Sequence, residues 1–382
     1  MSWLRAGVLG ILLFGVASPL SAEEPHPGAA GRGGAAARDV LTVEQWGLLD
    51  QTVDDGLKFL STQQEADGSF PTLSHAKPGV TSLCVLAFLS RGHLPNEGPY
   101  GRQVQRGVEF VLSTQRSDGL WTNHRVEPTL TSHGVSHAAL YNHGIAGLML
   151  GEVYGVTGGD QAESIRQSIA KGLEFSRKEQ LRVGGRGRVQ GGFDYLVSSS
   201  VHPGLDLPIT SCQLLFYRSA MNAGFEVPAE YAQDALRYVK SCYDPATHIF
   251  LYRGQRTFSR GLTASAILSL SLAGEHETEM ARQAGQWVLT QSFNRFNQSR
   301  DSHDRYFYSA YYCSQAMFQL GGKYWSGYFP PVLNTLAEHQ RDDGSWDHER
   351  SADTVRYGNA YSSALAILAL TPPYQLLPIY QR

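Results

Sequence analysis

Only four cysteines occur in 382 residues, charged side chains make up 18% of the chain, and the formal net charge is -3. Each scarcity closes off a class of protein. With so few cysteines the fold does not rest on a disulfide framework, and 42% hydrophobic residues are enough to build a core without staples. Charges of both signs are interspersed, so the concentrated basic field that neutralises phosphates is missing and nucleic acid is not an expected partner. Long apolar runs are scarce as well. The run near the start, Gly7 to Ala17, is too short to span a bilayer comfortably.

That run follows Arg5, and a short apolar segment behind a positive residue is the pattern of a signal peptide. It is expected over residues 1–22, with Ser21-Ala22 before the cut and Glu23 after it. An uncleaved membrane anchor is the alternative, because Leu20 stands where a small residue is usual. Residues 23–44 read as a spacer, too rich in Pro, Gly and Ala to bury enough side chain to offset the entropy of ordering. The folded domain is expected over 45–382, exported to the periplasm or beyond, with no membrane span once the signal is removed. An oxidising compartment would make Cys84, Cys212, Cys242 and Cys313 candidates for two disulfides.

What the chain does have is internal repetition. One phrase occurs three times at identical spacing: Gln64-x-x-Asp67-Gly68-x-Phe70, Gln115-x-x-Asp118-Gly119-x-Trp121 and Gln340-x-x-Asp343-Gly344-x-Trp346. A glycine stands eight residues before the Gln at Gly56, Gly107 and Gly172, the last paired with Gln180, and the residues between follow a helical pattern. Asp-Gly closes a helix and turns the chain, the aromatic is large enough to plug the seam between repeats, and the Gln can bond backbone groups left unpaired at a helix end. A phrase that recurs in so regular a register is expected to be structural.

After each turn comes a more apolar segment of helical length, such as VTSLCVLAFLS, ITSCQLLFYRSAMNAG and YSSALAILALTP, and six are present. They are expected to be inner helices, with outer helices at about 47–64, 103–115, 163–180, 229–243, 278–292 and 331–340. Alignment puts Cys84, Cys212, Ser265, Cys313 and Ser363 in one column of small side chains, so the cysteines read as free packing residues. Six hairpins in alternation make an all-α toroid of the α6/α6 type, an open superhelix being the alternative.

HQRDDGSW at 339–346, with its two partial copies, resembles the Gln-Trp motif of squalene and hopene cyclases, and its setting is similar to the prenyltransferase and squalene oxidase repeat family. The resemblance covers nearly all of the chain after residue 45. YNHGIAGLMLGEVYG at 141–155, DLPITSCQLLFYRSAMNAG at 206–224 and the ending YQLLPIYQR also resemble a group of exported bacterial proteins with this repeat. It implies a toroid whose central cavity takes an isoprenoid or another extended hydrophobic small molecule. Asp206 is the best match to the cyclases' Asp-x-Asp-Asp acid, but it stands alone, and an N-cap followed by Pro208 is the competing reading. The zinc pair of prenyltransferase β-subunits is not matched: Asp304 is followed two residues later by Tyr306, Cys313 comes nine residues on, and DTVRYGNAYSS holds no His. No metal and no cofactor is therefore expected. The Cys-Gly-Glu-Gln motif of thioester domains is absent too.

Three further groups are candidates. His133 and His137 lie four apart, with His143 beyond them, a spacing that suits a metal or a structural polar network; Asp206, His202 or His75 would have to complete a metal site. Tyr306, Phe307, Tyr308, Tyr311 and Tyr312, with Tyr357 and Tyr361, would form an aromatic wall able to stabilise a carbocation or stack on a sugar, or else plain core. The arginines of LRVGGRGRVQGG read as a solvated loop. The expected site is thus the cavity at the inner-helix N-termini, with Asp206 as acid, the histidines as polar partners and the tyrosines as wall. The rival readings are a non-catalytic exported scaffold and a carbohydrate-processing toroid, which would need paired carboxylates.

Overall fold

A computed structural model describes residues 40–124, 133–183, 191–197, 204–298, 304–350 and 357–381. The expected signal peptide, most of the spacer, His202, and Arg186 and Arg188 of the Gly-rich stretch lie outside these residues.

Among the described residues twelve helices alternate between two layers. The outer ones are α1 (Val43–Gln63), α3 (Gly101–Ser113), α5 (Gly159–Val183), α7 (Ala229–Ser241), α9 (Glu279–Leu289) and α11 (Gly322–Glu338). The inner ones are α2 (Lys77–Leu89), α4 (His133–Tyr154), α6 (Leu207–Asn222), α8 (Arg260–Leu272), α10 (Tyr306–Leu320) and α12 (Gly358–Leu370). A short antiparallel pair, Tyr243–Asp244 with Ile249–Phe250, precedes α8. Sequence pattern explains the layering. In α3 the buried residues Val104, Gly107, Val108 and Val111 fall on one stripe, whereas α12 is buried without interruption from Ser362 to Leu370.

Each inner helix packs on the next, and α12 packs on α2, so the ring closes. The outer helices α3, α5, α7, α9 and α11 each pack chiefly on the inner helix that precedes them, and α1 packs on α12. The structural hairpin is therefore inner-then-outer, not outer-then-inner, and the last inner helix takes its outer partner from the start of the chain.

The seams between outer helices are held by the repeat glutamines. Gln64 Nε2 donates to Gly68 O and to Gln103 O of α3, Gln115 to Gly119 O and Ser168 O of α5, and Gln180 to Gly191 O and Tyr231 O of α7. Gln340 donates to Gly344 O and, at 2.9 Å, to Thr52 O of α1. Four glutamines thus make the same two bonds, one to their own turn and one to the next outer helix. Two of the glycines eight residues earlier make room for plugging aromatics: a Cβ at Gly172 would come within 2.3 Å of the Trp121 ring, and one at Gly56 within 3.0 Å of Trp346, whereas Gly107 makes room for Val85.

The turn recurs more often than the sequence phrase suggests. Five turns place a left-handed residue two positions before a buried aromatic: Gly68 before Phe70, Gly119 before Trp121, Gly191 before Phe193, His248 before Phe250 and Gly344 before Trp346. In four of them an inner-helix hydroxyl, Thr81, Thr210, Thr263 or Ser363, accepts the aromatic's backbone N–H. All four cysteines are buried and free, and Cys84, Cys212 and Cys313 each point at a carbonyl of the preceding inner helix, those of Ala360, Tyr141 and Arg260.

Two boundaries differ from expectation. Thr42 and Gln45 form a capping box, so helix begins at Val43, inside the expected spacer. The sixth outer helix starts at Gly322 and runs through Pro330 and Pro331, because burial of Phe329, Val332 and Leu333 on its inner face outweighs the missing N–H bonds.

Gln340→Ala leaves the carbonyls of Thr52 and Gly344 without this donor and is expected to destabilise the ring by about 1–3 kcal/mol. Urea unfolding measures it, with Gln63→Ala, whose amide donates to neighbouring Thr62, as the near-neutral comparison.

Candidate functional site

The centre of the ring is hollow. A cavity of about 570 Å³ lies there, and all six inner helices contribute to its wall. A lining residue's place along its helix sets its depth. Near the helix N-termini stand His75, His137, Tyr195, Tyr252, Ser259 and Arg305. Tyr308 and Tyr361 stand in the first turns of α10 and α12, and further along come Tyr311, Tyr312 and Tyr141 and the aliphatic side chains of Leu83, Leu148, Leu215 and Leu365. The opposite end is closed by the C-terminal tail. Tyr380 bonds the hydroxyl of Tyr311 and offers its carbonyl to Gln319 Nε2, while the Ile379 N–H donates to Glu152 Oε2 at 3.2 Å.

Asp206 stands at the N-cap of α6, where its Oδ1 accepts the Ile209 N–H at 3.0 Å. Its Oδ2 accepts the Tyr252 hydroxyl at 3.0 Å and lies 3.4 Å from Arg253 Nη2. The same Nη2 bonds Asp194 at 2.7 Å, and the guanidinium lies over the Tyr195 ring, 4.8 Å from its centroid. Tyr195 and Tyr252 are joined through their hydroxyls at 3.0 Å, and His137 stacks on Tyr195 at 3.9 Å. Full burial pushes the Asp206 carboxyl above its ordinary value, against the pull of Arg253. Both carboxylate oxygens are engaged, and the side chain is not part of the cavity wall. It reaches the cavity only through the Tyr252–Tyr195 hydroxyl chain.

The other expected site residues separate into two sets. His137, Tyr308, Tyr311, Tyr312, Tyr357 and Tyr361 are brought together around the cavity. His143 is not: it lies in the seam against Trp121 and Phe216, its Nε2 on Gly172 O at 3.1 Å and Ser176 Oγ at 3.0 Å. Burial holds its imidazole down at about 3, so it is neutral, and six residues of helix carry it to a different face from His137. Tyr306 is likewise turned away, its hydroxyl donating to Phe293 O. His133 begins α4, but its side chain lies outside the described residues. Asp304, weighed as a zinc ligand, is buried and paired with Arg260 at 2.9 Å. No group of three His, Cys, Asp or Glu side chains able to hold a metal occurs among the described residues.

Sequence reasoning passed over Arg305, Tyr195, Tyr252 and Tyr141. Arg305 adjoins the tyrosine run and was within reach, but Tyr195 and Tyr252 lie in connecting segments where no periodicity marks an inward face.

A closed ring of six inner and six outer helices around a cavity at the inner N-termini decides the architecture. This is a terpene cyclase-like fold. A protein from Actinoplanes shares it at 19% identity and a TM-score of 0.55, over 84% of this chain and 98% of that one. The type II terpene cyclase MstE from Scytonema does so too. A variant of it holding geranylgeranyl dihydroxybenzoate as substrate superposes with a TM-score of 0.56 at 13% identity, over 88% of this chain and 100% of the cyclase. A second variant, holding merosterolic acid A as product, gives 0.55 at 13% identity over 89% and 100%. In sequence, no family model and no curated protein matches the chain. At these identities the likeness concerns the fold alone. No helix among the described residues is long and apolar enough to cross a membrane.

Two buried carboxyls outside the cavity wall are pushed up to about 7 by burial: Glu152, which accepts the Ile379 N–H of the tail, and Glu349, which accepts the Phe307 N–H at the start of α10. Below about 4.5 both the folded and the unfolded chain keep these protons. Between about 4.5 and 7 the unfolded chain releases them first, so stability falls as pH rises through that window and levels off above it. Each carboxyl contributes roughly 3 kcal/mol to the fall. The Ser219 hydroxyl donates to Glu152 Oε1 or to Leu148 O. Glu152→Gln keeps an acceptor for the Ile379 N–H and can donate its amide N–H to Ser219 Oγ while that hydroxyl bonds Leu148 O, so its melting temperature is expected to equal or exceed the parent's at pH 7.5 and to fall less between pH 5 and 7.5, as read by scanning calorimetry.

Proposed function

We propose that the protein binds an extended, isoprenoid-like molecule in the central cavity, in an exported compartment. The observation that carries this reading is the cavity itself: an interior space of about 570 Å³, within the roughly 300–1,000 Å³ usual for small-molecule sites, walled by tyrosine and aliphatic side chains. A hollow centre favours ligand binding over a scaffold. No Asp or Glu stands among the described lining residues, which disfavours glycoside cleavage by paired carboxylates. Geranylgeranyl dihydroxybenzoate in the neighbouring cyclase fold supports the size and character of the ligand. Export rests on Arg5 and the apolar run behind it.

Direct protonation of an alkene by Asp206 has less support, since both oxygens serve the helix cap, Tyr252 and Arg253. A catalytic reading draws on one observation: Tyr195 and Tyr252 line the cavity and their hydroxyls lead to the Asp206 carboxyl, a path along which a proton could pass.

The purified mature protein, mildly extracted and examined by mass spectrometry, is expected to release a lipid of this class. Leu215→Trp, which puts an indole into the cavity, is expected to abolish that release while leaving the thermal transition within a few degrees of the parent's. Recovery of no lipid from the parent would sink the proposal. For catalysis, geranylgeraniol incubated with the protein is recovered unchanged if the cavity only binds, whereas a cyclised isomer lost in Asp206→Asn would establish the proton path.

A further inference from the structure

Among the described residues, three arginines with guanidinium groups inside the fold lie near inner-helix N-termini, and two of them are neutralised. Arg260 pairs with Asp304 at 2.9 Å, and Arg253 with Asp194 at 2.7 Å. Arg305, immediately before α10, is different. It lines the cavity, and its guanidinium makes no hydrogen bond or ion pair with any described residue. The acid whose field acts on it, Glu349, makes no ion pair with it: its Oε1 accepts the Phe307 N–H at 2.8 Å and caps α10, and its Oε2 has no hydrogen-bond partner among the described residues. A guanidinium taken out of bulk water without its hydrogen bonds is costly by several kcal/mol, and a fold that neutralises two such groups and leaves the third facing a cavity leaves it for something that enters.

The surroundings of Arg305 specify what that is. Tyr141 and Tyr361 are close enough to act on its charge, line the same cavity, and have hydroxyls with no partner among the described residues. A planar fork of N–H donors near two O–H donors, with no carboxylate among the described lining residues, is a site for an oxyanion. The inner-helix N-termini that converge there add positive potential of the same sign. Depth does the rest: Arg305 is at the N-terminal end, whereas Leu148 and Leu215 lie further along their helices.

We infer that the ligand is amphipathic and enters the cavity with a carboxylate or phosphate head on Arg305, Tyr141 and Tyr361, its apolar body running along the inner helices toward Leu148 and Leu215. This rests on the cavity being a ligand site, and adds the chemistry of the head group and the direction of the chain.

Calorimetric titration with geranylgeranoic acid, geranylgeranyl monophosphate and geranylgeraniol tests it. The intact protein is expected to bind at least one of the anions tenfold or more tighter than the alcohol, and the preferred anion tells carboxylate from phosphate. Arg305→Met is expected to bring both anions down to the alcohol's affinity while weakening alcohol binding far less and leaving the melting temperature at or above the parent's. Arg305→Lys should keep part of the preference, and Glu349→Gln, by removing the opposing carboxyl while preserving an acceptor for Phe307, should increase it. Equal binding of acid, phosphate and alcohol by the intact protein, or an undiminished preference in Arg305→Met, overturns the inference. Binding of the alcohol alone overturns it while sparing the hydrophobic cavity, whereas binding of none of the three overturns both.

Discussion

Gln340, just past the last outer helix, bonds the Thr52 carbonyl of the first, and the Trp346 ring rests on Gly56 of that same helix. These contacts join parts of the chain 288 residues apart and repeat, bond for bond, those that join neighbouring outer helices elsewhere. A stack of helical hairpins would otherwise end in an apolar face, because a solenoid's terminal repeats have a neighbour on one side only. Here α1 covers α12, and the inner helices close on themselves with α12 against α2. Closure also fixes the centre. Six inner helices, held at ring spacing by their outer partners, cannot all converge on the axis, so the middle remains a cavity.

Closure turns six helix N-termini toward one end of that cavity, and the polar groups of the molecule follow from it. Asp206 and Ser259 cap their own helices, and Glu349 caps α10 from a neighbouring segment. Such carboxylates draw arginines after them, as Asp304 does Arg260 and Asp194 and Asp206 do Arg253, since a buried charge without a partner is costly. Asp206 accordingly serves packing and capping first, and its contact with the cavity runs through Tyr252 and Tyr195. Arg305 stands apart from this pattern. It makes the wall asymmetric, with a cationic guanidinium at one place among aromatic, aliphatic and neutral polar side chains.

Much of the fold was legible because hydrophobic periodicity and turn chemistry are local. The three full copies of the Gln-Asp-Gly-aromatic phrase set the register, and the inner segments were apolar all round. Two further copies escaped notice for definite reasons. Gly191 and Phe193 follow Gln180 after an insertion, and His248 takes the left-handed position that glycine holds in the other turns, steadied by the Tyr243 hydroxyl on its Nδ1 at 2.9 Å. The histidine group failed for another reason. Spacing in a helix that is apolar on nearly every side does not tell which side faces the cavity and which the seam, and His137 and His143 went to different ones.

The sequence by itself determined an all-helical ring of repeats, the glutamine seams and the free cysteines, since these depend on residues near one another in the chain or on a strict period. Tertiary structure alone decided that α1 serves the last inner helix, that the hydroxyls of Tyr195 and Tyr252 lead to Asp206, and that Arg305 lines the cavity with no ion pair among the described residues. Those facts arise from residues tens to hundreds of positions apart, and which buried charge finds a partner depends on how the closed ring sets one helix end beside the next.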